Sequence, residues 1–72
     1  MSRREPRLLR HLRARLRARG YTRVVATVAR DLDEGGWVCT VRRGVMQSLH
    51  GWARSPWRHR AIQRAFRGDY GE

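Results

Sequence analysis

The sequence predicts a small α+β domain in which a helix leads into an antiparallel sheet and a second helix packs back onto it. Three observations predict this: leucines at helical spacing near the start, a β-branched alternating run that turns at a double glycine, and a serine-proline helix start followed by an apolar stripe near the end. The expected order is α-β-β-β-α, with α-β-β-α-α as the alternative. At 72 residues the chain reads as one domain, 1–72, with residues 1–5 and 69–72 expected to fray. A core of that size is marginal, so help from a partner or from homodimerisation is part of the expectation.

The first element lies in "SRREPRLLRHLRARLRARG", residues 2–20. Pro6 suits the first turn of a helix, where its missing N–H costs nothing, and Leu8, Leu9, Leu12 and Leu16 then fall on one narrow stripe that Gly20 closes. This predicts a helix over about residues 6–19. On it Arg10, Arg13 and Arg17 lie roughly opposite the leucines, while Arg15 and Arg19 flank them and can cover the stripe with their aliphatic stems.

"YTRVVATVARD", residues 21–31, alternates as a strand, with Val24, Ala26 and Val28 on one face and Arg23, Val25, Thr27 and Ala29 on the other. "LDEGG" follows as a turn whose glycines can take positive φ. "WVCTVRR", residues 37–43, returns antiparallel with Trp37, Cys39 and Val41 on one face.

"GVMQSLHGWARS", residues 44–55, fits two periods. As a strand it sets Val45, Gln47 and Leu49 against Met46, Ser48, His50 and Trp52; as a helix it gathers Val45, Met46, Leu49, Trp52 and Ala53 on one face. Gly51 disfavours the helix by about 1 kcal/mol, and the tight "RRG" junction suits a hairpin, so a third strand is expected. In "SPWRHRAIQRAFRG" Ser55 can cap, Pro56 can start, Trp57, Ala61, Ile62, Ala65 and Phe66 can pack, and Gly68 can stop a last helix. The resulting order resembles the double-stranded-RNA-binding shape in its sequence of elements alone. That family's loop signatures are absent, and no residue role follows from the likeness.

Charge says more about function than any motif. The formal net charge is +11, and all 17 basic residues are arginine. A bias of that kind fits the coding of a GC-rich genome, so arginine in place of lysine at one site says little. The total still opposes folding unless an anion neutralises it, and it exceeds the magnitude of roughly 2–8 that solubility asks of a small domain. Arginines crowd the first helix (Arg3, Arg4, Arg7, Arg10, Arg13, Arg17), the end of the second strand (Arg42, Arg43), and the last helix with its approach (Arg54, Arg58, Arg60, Arg64, Arg67). Acids gather at 31–34. The start of the last helix adds backbone N–H donors beside Arg54 and Arg58, an arrangement suited to one phosphate. Of Trp37, Trp52 and Trp57, each is expected mainly to pack; Trp57 is the one best placed to stack on a base.

Catalytic and metal readings find no support in spacing. His11, His50 and His59 make no motif, no carboxylate or second cysteine completes a zinc site, and Cys39 reads as a small core residue. No cofactor is expected, and no glycine loop of the phosphate-cradling kind is present. A single cysteine fits a reducing, cytoplasmic setting; neither a secretory leader nor a membrane span is expected, and membrane-surface binding is disfavoured because the first helix has no aromatic on its apolar stripe. The leading expectation is therefore an arginine-rich binder of DNA or RNA, such as a phage or plasmid encodes, acting by occupancy of the phosphate backbone. The alternative is an inhibitor or adaptor docking on an acidic protein surface, and a weaker one is a toxin-type ribonuclease using His50 or His59.

Overall fold

A computed structural model of the chain describes residues 5–44, 49–68 and 70–71. The elements run α1 (Arg7–Ala18), β1 (Val24–Arg30), β2 (Trp37–Arg43), β3 (Leu49–Ser55), α2 (Arg58–Arg67) and β4 (Tyr70–Gly71). The segment with two periods is a strand, which gives the α-β-β-β-α order; residues 45–48 of that segment lie outside the described residues.

Helix α1 begins at Arg7 because Pro6 takes ψ 140°, outside the helical range, and serves as the N-cap. Its carbonyl accepts the N–H of Arg10 at 3.2 Å. Leu9 and Leu16 are buried, and Leu8 and Leu12 pack half-buried at the edge of the core. The hairpin β1–β2 pairs Val24 with Arg43 through to Arg30 with Trp37. Its turn is wound by Asp31, whose Oδ1 accepts the N–H groups of Asp33 (2.9 Å) and Glu34 (3.1 Å). Gly36, at φ 79°, lets the chain return so that its carbonyl accepts the N–H of Asp31 at 3.0 Å.

Strand β3 runs antiparallel to β2 from Trp37↔Ser55 to Val41↔Gly51, after which Arg42 pairs with Leu49, leaving His50 as the extra residue of a bulge. Two details of the chain's last third differ from expectation. Ser55 and Pro56 do not start α2: Ser55 is still in β3, and Trp57 is the N-cap, with extended backbone. Ser55 Oγ instead accepts the N–H of Trp57 at 3.2 Å, so it bends the chain toward the helix without capping it. Trp57 does not pack; it is 60% exposed. Beyond α2, Tyr70 and Gly71 pair parallel with Trp52 and Ala53 of β3. Gly68, left-handed at φ 99°, ends α2 and returns the chain to the open edge of β3, where unpaired backbone groups await a partner.

The sheet order is β1-β2-β3-β4, and both helices cover one face of it. Helix α2 lies across β2 and β3, and α1 over β1. Between them sit Leu9, Leu16, Val24, Ala26, Cys39, Val41, Ala53, Ala61, Ile62 and Ala65. These are mostly small, and they allow close approach. A Cβ built on Gly51 would stand 1.9 Å from the carbonyl oxygen of Ala65, so α2 rests almost directly on the β3 backbone. The other face of the sheet carries Val25 (50% exposed), Arg42, half-buried Trp52 and the hydroxyls of Thr27 and Thr40, hydrogen-bonded at 2.8 Å.

Two outcomes follow from this packing. Gly51→Ala forces the helix off the sheet and costs about 3 kcal/mol, on the order of 12–24 °C in Tm for a domain of this size, measurable by thermal melting; an unchanged Tm excludes the close approach. Burial pushes the Cys39 thiol up to about 12, so iodoacetamide at neutral pH labels the unfolded chain and leaves the folded one unmodified over the same interval.

Candidate nucleic-acid interface

Two basic clefts lie at opposite ends of the β1–β2 hairpin. The first is built where α1 hands over to β1 and β2 ends. Arg17 comes from the last turns of α1, Arg23 and Thr22 from the connection, and Arg42 and Arg43 from the end of β2. The hairpin register creates the cluster, because Val24↔Arg43 and Val25↔Arg42 set these arginines beside the start of β1, and the Gly44 N–H extends the ladder to the Arg23 carbonyl at 3.1 Å. Together with Val24, Val25 and Gly44 they line a cleft of about 260 Å³ that contains four arginines and, among the described residues, no carboxylate. Arg43 is fixed by stacking over the Tyr21 ring at 4.3 Å; Arg17, Arg23 and Arg42 are exposed.

The second cleft, about 540 Å³, lies between the β1–β2 turn and the start of α2, and includes Gly35, Gly36, Trp57, Arg60 and Arg64 in its walls. Arg54 closes its base from β3. Its guanidinium meets Asp31 at 2.8 Å and Glu34 at 2.7 Å, and its carbonyl accepts an N–H of Arg64 at 3.2 Å. One residue thus ties turn, sheet and α2 together. The N–H groups of Glu34 and Asp33, and after them Arg54, hold the Asp31 carboxyl below the ordinary carboxylate range.

The expected site residues divide accordingly. Arg3 and Arg4 lie outside the described residues. Arg7, Arg10 and Arg17 are exposed on α1 as expected, whereas Arg13 is half-buried and forms an ion pair with Glu5. That pair, with Arg10 and Arg17 adding at longer range, lowers the Glu5 carboxyl. Arg54, expected beside a phosphate at the helix start, is held by its two carboxylates. Arg58 is exposed and lies over the Trp37 ring at 5.4 Å, and Arg60 and Arg67 are exposed further along α2. Arg23 is the residue the sequence reading missed; the hairpin register, counted back from the "DEGG" turn, would have set it next to Arg43. A third, smaller cleft of about 240 Å³ between the helices holds Arg15, Arg19 and Arg67 around Leu12, Leu16 and Phe66.

No family model matches the chain, no curated protein matches it in sequence, and no solved structure matches its fold. Among the described residues no group of three or more His, Cys, Asp or Glu is placed to hold a metal ion, and no helix is long and apolar enough to cross a membrane. His59 is exposed on α2, and no hydrogen bond orients it among the described residues.

The bonds to the Asp31 carboxylate, first from the N–H groups of Glu34 and Asp33 and then from Arg54, set an acid limit. Because the folded carboxyl titrates below its unfolded value, its contribution to stability is complete above about pH 5 and is lost as the pH falls through the folded value. Asp31→Asn therefore lowers Tm at neutral pH and shows a shallower loss between pH 5 and about 2 than the parent chain. Parallel acid profiles for the two would exclude this role.

Proposed function

We propose that this chain binds nucleic acid by occupancy, neutralising backbone phosphates, with the cleft of Arg17, Arg23, Arg42 and Arg43 at its centre. The observation that carries the reading is the convergence of these four arginines around one concavity that no described carboxylate lines. Guanidiniums gathered in this way repel one another, and an anion with several oxygens relieves the repulsion while accepting paired N–H donors. The net charge of +11 extends the attraction beyond the cleft to the exposed arginines of both helices. Contacts of this kind give affinity that depends on salt and little on sequence. The setting proposed is the reducing cytoplasm, supported by the lone thiol of Cys39, buried among core side chains.

Titration of labelled DNA and RNA across salt concentration tests the reading. Affinity falls by orders of magnitude between about 50 and 200 mM salt, and Arg17→Gln, Arg23→Gln and Arg42→Gln together flatten the log–log slope by about 2 to 3. These side chains are exposed, so the triple variant keeps its Tm. Absence of binding at low salt overturns the proposal; capture of an acidic polypeptide by the same arginines, with no affinity for polynucleotide, replaces it with docking on an acidic protein surface.

A further inference from the structure

We propose that the cleft between the β1–β2 turn and α2 holds one unpaired nucleobase stacked on Trp57, so that the chain prefers single-stranded nucleic acid to duplex. The inference rests on the phosphate-binding reading above and adds the part of the ligand that the arginines do not address.

Trp57 is 60% exposed, in a protein whose largest fully buried side chains are Ile62, Val41 and Cys39. A core so short of large side chains gains more from an indole than from alanine, yet this indole stands in solvent while Ala53, Ala61 and Ala65 are fully buried. Its position is fixed from both sides. The Trp57 N–H is held by Ser55 Oγ at 3.2 Å, and its carbonyl accepts the N–H of Ala61 at 3.1 Å, so the residue is locked as the N-cap of α2. With its backbone held, the indole has only two χ angles to order on stacking, which makes it an efficient contact.

The surroundings suit a planar group bearing a phosphate. The cleft is about 540 Å³, within the range of small-ligand sites, and Gly35 and Gly36 leave the wall toward the turn without side chains. Exposed Arg60 lines the same cleft, and among the described residues it makes no ion pair. An acidic peptide would satisfy Arg60 but leave the indole face unmatched. A nucleotide offers a π-face and an anion together. Bases in a duplex have their faces covered by neighbours, and exposing one costs a few kcal/mol, hence the preference for a single strand. The seven-residue strands of the hairpin place the two clefts about 20 Å apart, a span that a short run of nucleotides bridges with its phosphates at Arg17, Arg23 and Arg42.

The test uses the full chain and three probes at low salt: an oligothymidine of about twelve nucleotides, an abasic strand of the same length, and a duplex. The parent chain binds oligothymidine about tenfold more tightly than the abasic strand, as one stacked base provides. Trp57→Leu abolishes that difference without weakening abasic binding, Trp57→Phe restores part of it, and circular dichroism shows both variants folded. Equal affinity of the parent for base-bearing and abasic strands overturns the stacking site while the phosphate reading stands. So does a folded Trp57→Leu chain that keeps the difference or weakens on both strands alike. Failure to bind any strand overturns both readings, and displacement of oligothymidine by polyglutamate in a Trp57-dependent manner assigns the cleft to an acidic protein instead.

Discussion

The architecture depends on how closely α2 can approach β3. The absence of a side chain at Gly51 lets the backbone of Ala65 come within the distance a Cβ would occupy, and Ala53, Ala61 and Ala65 add little bulk along the same contact. A domain with so few large apolar side chains cannot gain enough from burying bulk alone; close backbone approach supplies the dispersion contacts that larger side chains supply elsewhere. The position of α2 in turn fixes its N-cap, Trp57, at the mouth of the second cleft, and brings Arg64 to the carbonyl of Arg54.

A net charge counts arginines without distinguishing their work. Several are part of the fold: Arg13 with Glu5, Arg54 with Asp31 and Glu34, Arg43 over Tyr21, Arg58 over Trp37. The Asp31–Glu34 turn, which looks in the sequence like the negative end of a dipole, spends two of its carboxylates on Arg54. What remains outward-facing at the opposite end of the hairpin is nearly pure positive charge, so the two ends of the hairpin differ sharply in charge.

Elements with a single strong period were legible in the sequence. The leucines of α1 and the alternation of Val24, Ala26 and Val28 against Cys39 and Val41 fall on the buried side because helical and strand periods admit only one such arrangement. Gly51 pointed to a strand through its poor helix propensity, yet its tertiary role is contact with Ala65, which no local rule contains. The pairing of Tyr70–Gly71 with β3 was invisible for the same reason: two residues carry no period, and their partner lies some eighteen positions back. In the candidate sites, Trp57 is expected mainly to pack although it is the indole best placed for exposure, and a local pattern does not say which way it turns; Arg23 required register and Arg54 required knowing that the turn folds over β3.

The four-guanidinium cleft has a consequence for the proposed mode of binding. A guanidinium does not deprotonate in water at any physiological pH, and it is not a target of lysine acetylation, so neither route is open for switching this surface off. Its charge persists and is balanced by counter-ions. In any electrolyte such a cleft attracts an averaged population of small anions, and on the proposed reading a polyanion would arrive by displacing them. Association of the proposed kind would be an exchange reaction, its strength set as much by the identity of the departing anion, weakly held chloride or strongly held phosphate, as by the polymer that replaces it.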